Sequence, residues 1–177
     1  MTEAARGLAS SFSALRERAR TLAEEGVLSG IIGAAIVAVF FLLIDSLRGR
    51  PLHTPSLLGS VLFLGKTPDQ VTAVSYTMVF AYTGLHVLSF LVAGAVLAWM
   101  VSQFERNPQF GLVLVLLFLL FQSVLFGLEV SLVPSLVGAL GAGIVVIANL
   151  LSAGAMFWYL LRQHPGAMER LRQSWNE

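Results

Sequence analysis

Residues 27–47 read VLSGIIGAAIVAVFFLLIDSL, an apolar run with no charged residue before Asp45. About 20 apolar residues are enough for a helix to cross the hydrocarbon core of a bilayer. The whole chain has the same character, because 56% of its 177 residues are hydrophobic and only 12% are charged, whereas soluble domains carry about 25% charged residues. The sequence therefore predicts an integral membrane protein. It excludes an ordinary soluble enzyme, a nucleic-acid-binding protein and a disordered chain.

Three further runs are long and apolar enough to cross a bilayer. The predicted spans are residues 27–47, 71–102, 110–129 and 135–161, within one transmembrane domain at residues 27–162. The second run is longer than a bilayer requires, so we expect it to tilt or to project. The expected fold class is all-α, an antiparallel four-helix transmembrane bundle.

Both termini carry amphipathic segments outside these spans. In residues 1–26 the apolar positions follow a 4-3-4-3 spacing: Leu8, Phe12, Leu15, Ala19 and Leu22. This spacing predicts a separate helix on the membrane surface, with a short coiled-coil seam as the alternative. After the stop signal His164-Pro165-Gly166, residues 163–177 form a short tail with one apolar face.

A short helix is predicted between the first two spans. Thr54-Pro55 is a helix-start signal and Gly65 a stop signal, which together predict a helix over residues 56–64. At about 1.5 Å per residue this helix is too short to cross a bilayer. We expect it at the interface or packed on the bundle, and whether it lies flat or dips inward stays open. Thr67-Pro68 and Asn107-Pro108 are start signals for the second and third spans.

The basic residues predict an orientation. With four spans, eight of them share a side with both termini: Arg6, Arg16, Arg18, Arg20, Arg106, Arg162, Arg170 and Arg172. Three lie on the other side: Arg48, Arg50 and Lys66. The positive-inside rule then places both termini in the cytoplasm and the chain in the bacterial inner membrane.

Polar side chains at membrane depth are the first candidates for function. Counted from the cytoplasmic ends at about 1.5 Å per residue, His86 lies about 22 Å deep, and Gln122 and Asn149 about 18 Å deep. Tyr82 and Ser89 share a helical face with His86. This polar layer is interpreted either as a network that fixes the register of the helices or as a proton or ligand site.

A second candidate cluster lies at the predicted outer interface. Asp45 and Glu129 both end outward-running spans, and Arg48, Arg50 and His53 follow Asp45 closely. One interpretation is a group of ion pairs that holds the loop helix on the bundle. The other is a proton-accessible mouth that leads from Glu129 past Gln122 to His86.

The sequence predicts no metal site, no cofactor and no catalytic activity. His53, His86 and His164 fall at three different depths, so they cannot share one ion, and cysteine is absent. Nucleophile-elbow, zinc-protease, phosphate-loop and dinucleotide motifs are also absent. A haem or quinone site between subunits at His86 remains a weaker alternative.

Two stretches of the chain carry a resemblance. Arg48-Gly49-Arg50-Pro51-Leu52-His53-Thr54-Pro55 and the pattern Tyr82-Thr83-x-x-His86 resemble those of small, uncharacterised bacterial four-helix integral membrane proteins. The resemblance covers residues 27–102. It implies the architecture and attaches no activity.

The apolar spans and their small-residue seams favour a non-catalytic role. The leading hypothesis is an accessory or structural subunit of a larger membrane complex, or a scaffold. Its expected partners are the lipid bilayer and either other membrane subunits or further copies of itself, and no nucleic acid. The alternative is a transporter of small solutes, or a proton-coupled one, that uses His86 and Glu129.

Overall fold

The computed structural model describes residues 3–106 and 141–166. These residues form four α-helices and no strand: α1 Glu3–Leu47, α2 His53–Leu64, α3 Tyr76–Arg106 and α4 Ala142–Gln163. A single 3-10 turn, Pro68–Gln70, lies between α2 and α3. The all-α prediction is therefore confirmed for this part of the chain.

Three of these helices are long and apolar enough to cross a membrane. The qualifying stretches are Arg16–Leu47 in α1, Tyr76–Phe104 in α3 and Gly143–Gln163 in α4. They match the first, second and fourth predicted spans. The predicted span at 110–129, and with it the four-span count, lies outside the described residues.

The N-terminal segment differs from the prediction of a separate surface helix. α1 runs for 45 residues without a break, so residues 3–26 continue the first apolar helix. The sequence explains this continuity, because the first proline is Pro51 and proline is the residue that most strongly breaks a helix. The amphipathic segment is therefore part of α1 and not a separate helix.

The short helix ends where the sequence predicts and starts three residues earlier. Gly65 ends α2 with a φ of 65°, a left-handed conformation that glycine adopts at little cost. At the other end the chain enters α2 through Leu52, whose φ is 63°, so His53 rather than Ser56 is the first helical residue. The start signal at Thr54-Pro55 therefore lies within the first turn of α2.

The other helix boundaries also follow local signals in the sequence. Thr67-Pro68 starts the 3-10 turn, where the Thr67 N–H donates to Gln70 Oε1 over 3.0 Å, and α3 follows only at Tyr76. α4 ends at Gln163 before His164, as predicted. Gly141, expected inside the fourth span, instead precedes the first turn of α4 with a φ of 84°.

α1 is the helix against which the other two long helices pack. α3 and α4 meet each other mainly toward their C-terminal ends, in one core cluster: Leu97, Ala98, Val101, Met156, Leu160 and Leu161. α2 packs on α3, and its Leu57 is buried with Val71 in a cluster against which Val145 of α4 packs. α2 therefore lies at the end where α1 finishes and α3 begins, which we call the loop end.

Two glycines allow α1 and α3 to approach closely. A Cβ atom at Gly30 would lie 2.5 Å from the Phe90 carbonyl oxygen, and one at Gly94 would lie 2.5 Å from the Gly30 nitrogen. No side chain fits in that space without moving a backbone. Small residues serve this purpose in membrane helices, where packing drives helix association in place of the hydrophobic effect.

Candidate functional site

His86 projects from α3 onto the backbone of α1. Its Nε2 lies 3.2 Å from the Ala34 carbonyl oxygen, so Nε2 carries the hydrogen and donates it. The imidazole lies between two rings of its own helix: it stacks on Tyr82 with the centroids 5.9 Å apart, and it is tilted by 56° against Phe90 with the centroids 4.8 Å apart. His86 is thus half-buried and held in one orientation by rings on two sides and a carbonyl in front.

α4 makes an equivalent hydrogen bond to the next carbonyl along α1. Ser152 is buried, and its hydroxyl donates to the Gly33 carbonyl oxygen over 3.1 Å. Gly33 and Ala34 are consecutive, so α3 and α4 are both hydrogen-bonded to α1 at the same level. We call these two hydrogen bonds, His86 to Ala34 and Ser152 to Gly33, the α1 carbonyl clasp.

The structure brings only part of the predicted polar layer together. Tyr82 stacks on His86, whereas Ser89 is exposed and donates to the Leu85 carbonyl of its own helix. Asn149 is half-buried and makes no side-chain hydrogen bond within residues 3–106 and 141–166. Gln122 lies outside the described residues.

Ser152 was not among the predicted site residues, although its position in the sequence relative to Asn149 points to it. It lies three residues after Asn149, at helical spacing, so a search for short hydroxyl side chains at the same depth would have found it. Serine is easily overlooked in an apolar run because it is small and uncharged, yet small hydroxyl residues commonly form hydrogen bonds between membrane helices.

At the loop end Asp45 attaches α2 to α1. The carboxylate is 2% exposed and accepts two hydrogen bonds from Thr54, one from its backbone N–H at 2.6 Å and one from its hydroxyl at 2.7 Å. A carboxylate at this position satisfies an N–H of the first helical turn and interacts favourably with the helix dipole. Hydrogen bonds from Thr54, rather than an ion pair with arginine, therefore hold the loop helix at Asp45.

The other residues of the predicted outer cluster border a cavity of about 440 Å³ beside Asp45. Arg48, Arg50 and His53 line it, and Asp69 lines it from the loop before α3. Within the described residues neither arginine is in an ion pair, and both are exposed. Glu129, the remaining member of the cluster, lies outside the described residues.

The opposite end of the bundle holds a hydrogen-bonded histidine–carboxylate pair that the sequence did not indicate. His164 Nε2 lies 3.0 Å from Glu25 Oε2, with side-chain exposures of 13% and 12%. The pair joins α1 to the end of α4. We call this end of the bundle the tail end. The available signal was an acidic residue directly before Gly26, at the edge of the first apolar run.

In the structure these groups are engaged in hydrogen bonds between helices and between α1 and α2. No group of three potential ligands among the histidines and acidic residues of the described segments could hold a metal ion. Comparisons with family models, with curated proteins and with solved structures find no match.

Proposed function

We propose that this protein is a non-catalytic, multi-pass membrane protein that acts as a structural or accessory subunit of a larger membrane assembly. The α1 carbonyl clasp is the observation that supports this proposal most directly. The polar side chains of the clasp, His86 and Ser152, are engaged with helix backbone, where they fix the helices against one another. Each interhelical hydrogen bond of this kind stabilises a membrane protein by about 0.6–2 kcal/mol.

The outward-facing surface supports the second half of the proposal. In the most apolar 18-residue stretch of α1 only 22% is buried. In the corresponding stretches of α3 and α4 the buried share is 28%. Large apolar side chains such as Phe80, Val92 and Leu150 are exposed on α3 and α4. This surface suits contact with lipid and with further membrane helices, from other subunits or from another copy of the chain. We propose that the protein lies in the bacterial inner membrane with both termini cytoplasmic, as the arginine distribution favours.

Site-specific photo-cross-linking in native membranes tests the assembly. A photoreactive side chain at Val92, which is 58% exposed, should give one discrete protein adduct of constant mass. The same group at Ala98, which is 0% exposed on the same helix, is the matched control and should give none. If Val92, Phe80 and Leu150 all label only lipid, and the protein purifies in mild detergent as a monomer without a partner, the proposal is wrong.

The variant His86→Phe separates a structural clasp from a reactive histidine. Phenylalanine keeps a ring between Tyr82 and Phe90 and removes the hydrogen bond to Ala34. The protein adduct formed from Val92 should therefore persist, while the protein loses a little stability. A proton-coupled transporter that uses His86 and Glu129 would instead lose proton flux in reconstituted vesicles while the fold is retained. Such a loss would favour transport over the accessory role.

A further inference from the structure

The loop-end cavity contains both signs of charge without an ion pair between them. Arg48 and Arg50 face it from the α1–α2 connection, and Asp69 faces it from the loop before α3. Neither guanidinium lies within 4.0 Å of a carboxylate among the described residues. The cavity therefore presents two guanidinium groups and the carboxylate of Asp69 that are not paired with one another.

The cavity lies next to the exposed apolar end of α1, so a membrane lipid can reach it. Arg48 directly follows Leu47, the last residue of the apolar helix α1, and Leu47 is 86% exposed. Leu57 and Val71, both buried, form the apolar part of the cavity wall. Charged groups therefore lie directly above exposed apolar surface, which is the order in which a phospholipid presents its headgroup and its acyl chains.

We propose that this cavity binds the phosphate–ammonium headgroup of a zwitterionic membrane lipid, of the phosphatidylethanolamine kind. The two guanidinium groups, which suit bidentate hydrogen bonding to phosphate oxygens, hold the phosphate. The ammonium group is held by the carboxylate of Asp69, with Asp45 behind it. The volume of about 440 Å³ falls in the range of about 300–1,000 Å³ that is typical of small-ligand sites.

The arrangement of charge favours a zwitterion over a purely anionic headgroup. An anionic lipid such as phosphatidylglycerol would find the same arginines but would leave Asp69 without a partner and close to its negative charge. A headgroup with a primary ammonium meets both signs, and a choline headgroup, which has no N–H to donate, meets the carboxylate less well. The site should therefore rank phosphatidylethanolamine above phosphatidylcholine and phosphatidylglycerol.

Native mass spectrometry of the detergent-purified full chain, supplied with defined lipids, tests the site. The unchanged protein should retain phosphatidylethanolamine in preference to equimolar phosphatidylglycerol. The double variant Arg48→Ala/Arg50→Ala should retain about tenfold less, as expected for the loss of a charge-assisted contact. Lys66→Ala is the matched control, since Lys66 is the remaining lysine or arginine between α1 and α3 and does not line the cavity. It should bind as the unchanged protein does.

A second variant keeps the proposal testable if the arginine variant fails to fold. Asp69→Asn leaves the phosphate contacts intact and removes the partner of the ammonium, so the preference should shift by about tenfold toward phosphatidylglycerol. An unchanged preference in Asp69→Asn, or equal lipid retention by the arginine variant and Lys66→Ala, overturns the proposal. Displacement of the lipid by equimolar soluble phosphoethanolamine would overturn its assignment to a membrane lipid.

Discussion

At the scale of single residues, the contact between α1 and α3 depends on the absence of a side chain at Gly30 and Gly94. The space that a Cβ would need is occupied by backbone atoms, and backbone cannot rotate away as a flexible side chain can. Overpacking a close contact costs about 1–3 kcal/mol. These two positions should therefore be more sensitive to an added methyl group than Gly84, Gly143 and Gly154, where a Cβ would meet nothing within 4 Å.

The variant Gly94→Ala should destabilise the protein by about 1–3 kcal/mol because α1 and α3 must separate to admit the methyl group. Gly84→Ala is the matched control, since a Cβ at Gly84 on the same helix meets nothing within 4 Å. That control should be neutral or stabilising by up to about 1 kcal/mol, owing to the higher helix propensity of alanine. The measurement is the unfolding free energy in mixed micelles titrated with dodecyl sulfate. Equal effects of the two variants would contradict the proposed close contact.

At the scale of the elements, a polar contact fixes α1 at each end of its apolar stretch. At the tail end Glu25 meets His164, the residue directly after α4, and at the loop end Asp45 meets Thr54 of α2. Partners that are buried together gain hydrogen bonds, whereas a buried charge that loses its partner pays its desolvation cost in full. Each contact therefore docks one neighbouring element onto α1.

Glu25→Gln should lower the unfolding free energy by about 1–3 kcal/mol, because it removes the charged partner of a largely buried His164. The adjacent Glu24→Gln is the control. Glu24 pairs with Arg20 over 2.8 Å, but both side chains are exposed, and such surface pairs contribute at most about 1 kcal/mol. A double-mutant cycle with His164→Gln isolates the coupling between Glu25 and His164. Zero coupling would show that the pair does not dock α4.

Hydropathy and local signals predicted most elements that the structure describes. The apolar runs predicted α1, α3 and α4, and Gly65 and His164 marked two helix ends. The separate N-terminal helix was wrong because amphipathic spacing does not reveal whether a helix continues into the next segment. The clasp was only half predicted: His86 is conspicuous in an apolar run, but which carbonyls it meets depends on how the helices pack. Hydropathy does not encode that packing, because lipid-facing and helix-facing positions are both apolar.

At the scale of the whole molecule, the two polar contacts of α1 are separated by the thickness of a bilayer. Residues 26–44 carry no charge, and the 20 positions from Glu25 to Asp45 rise about 30 Å along a helix, which equals a typical hydrocarbon core. At the tail end, the guanidinium carbon of Arg162 also lies 3.9 Å from the centre of the Trp158 ring. Aromatic and basic side chains of this kind collect at membrane interfaces.

Spin labels placed on single cysteines test this depth assignment without background, because the chain contains no cysteine. A label at Leu150, which is 67% exposed on α4, should be accessible to oxygen and protected from a water-soluble nickel complex in reconstituted vesicles. A label at Lys66, which is exposed at the loop end, should show the opposite ranking. Access of the nickel complex to Leu150 would place that face of α4 in water and contradict the membrane assignment.

The central position of α1 also bears on the order of assembly during synthesis. Every residue in the contact between α1 and α3 precedes residue 107 in the chain, so that pair can form before α4 leaves the ribosome. Ser152 and His164 emerge later and meet groups of α1 at Gly33 and Glu25 that are already in place. α1 is thus synthesised before α3 and α4, the two long helices that pack on it, and an error in the placement of α1 should disturb the packing of both.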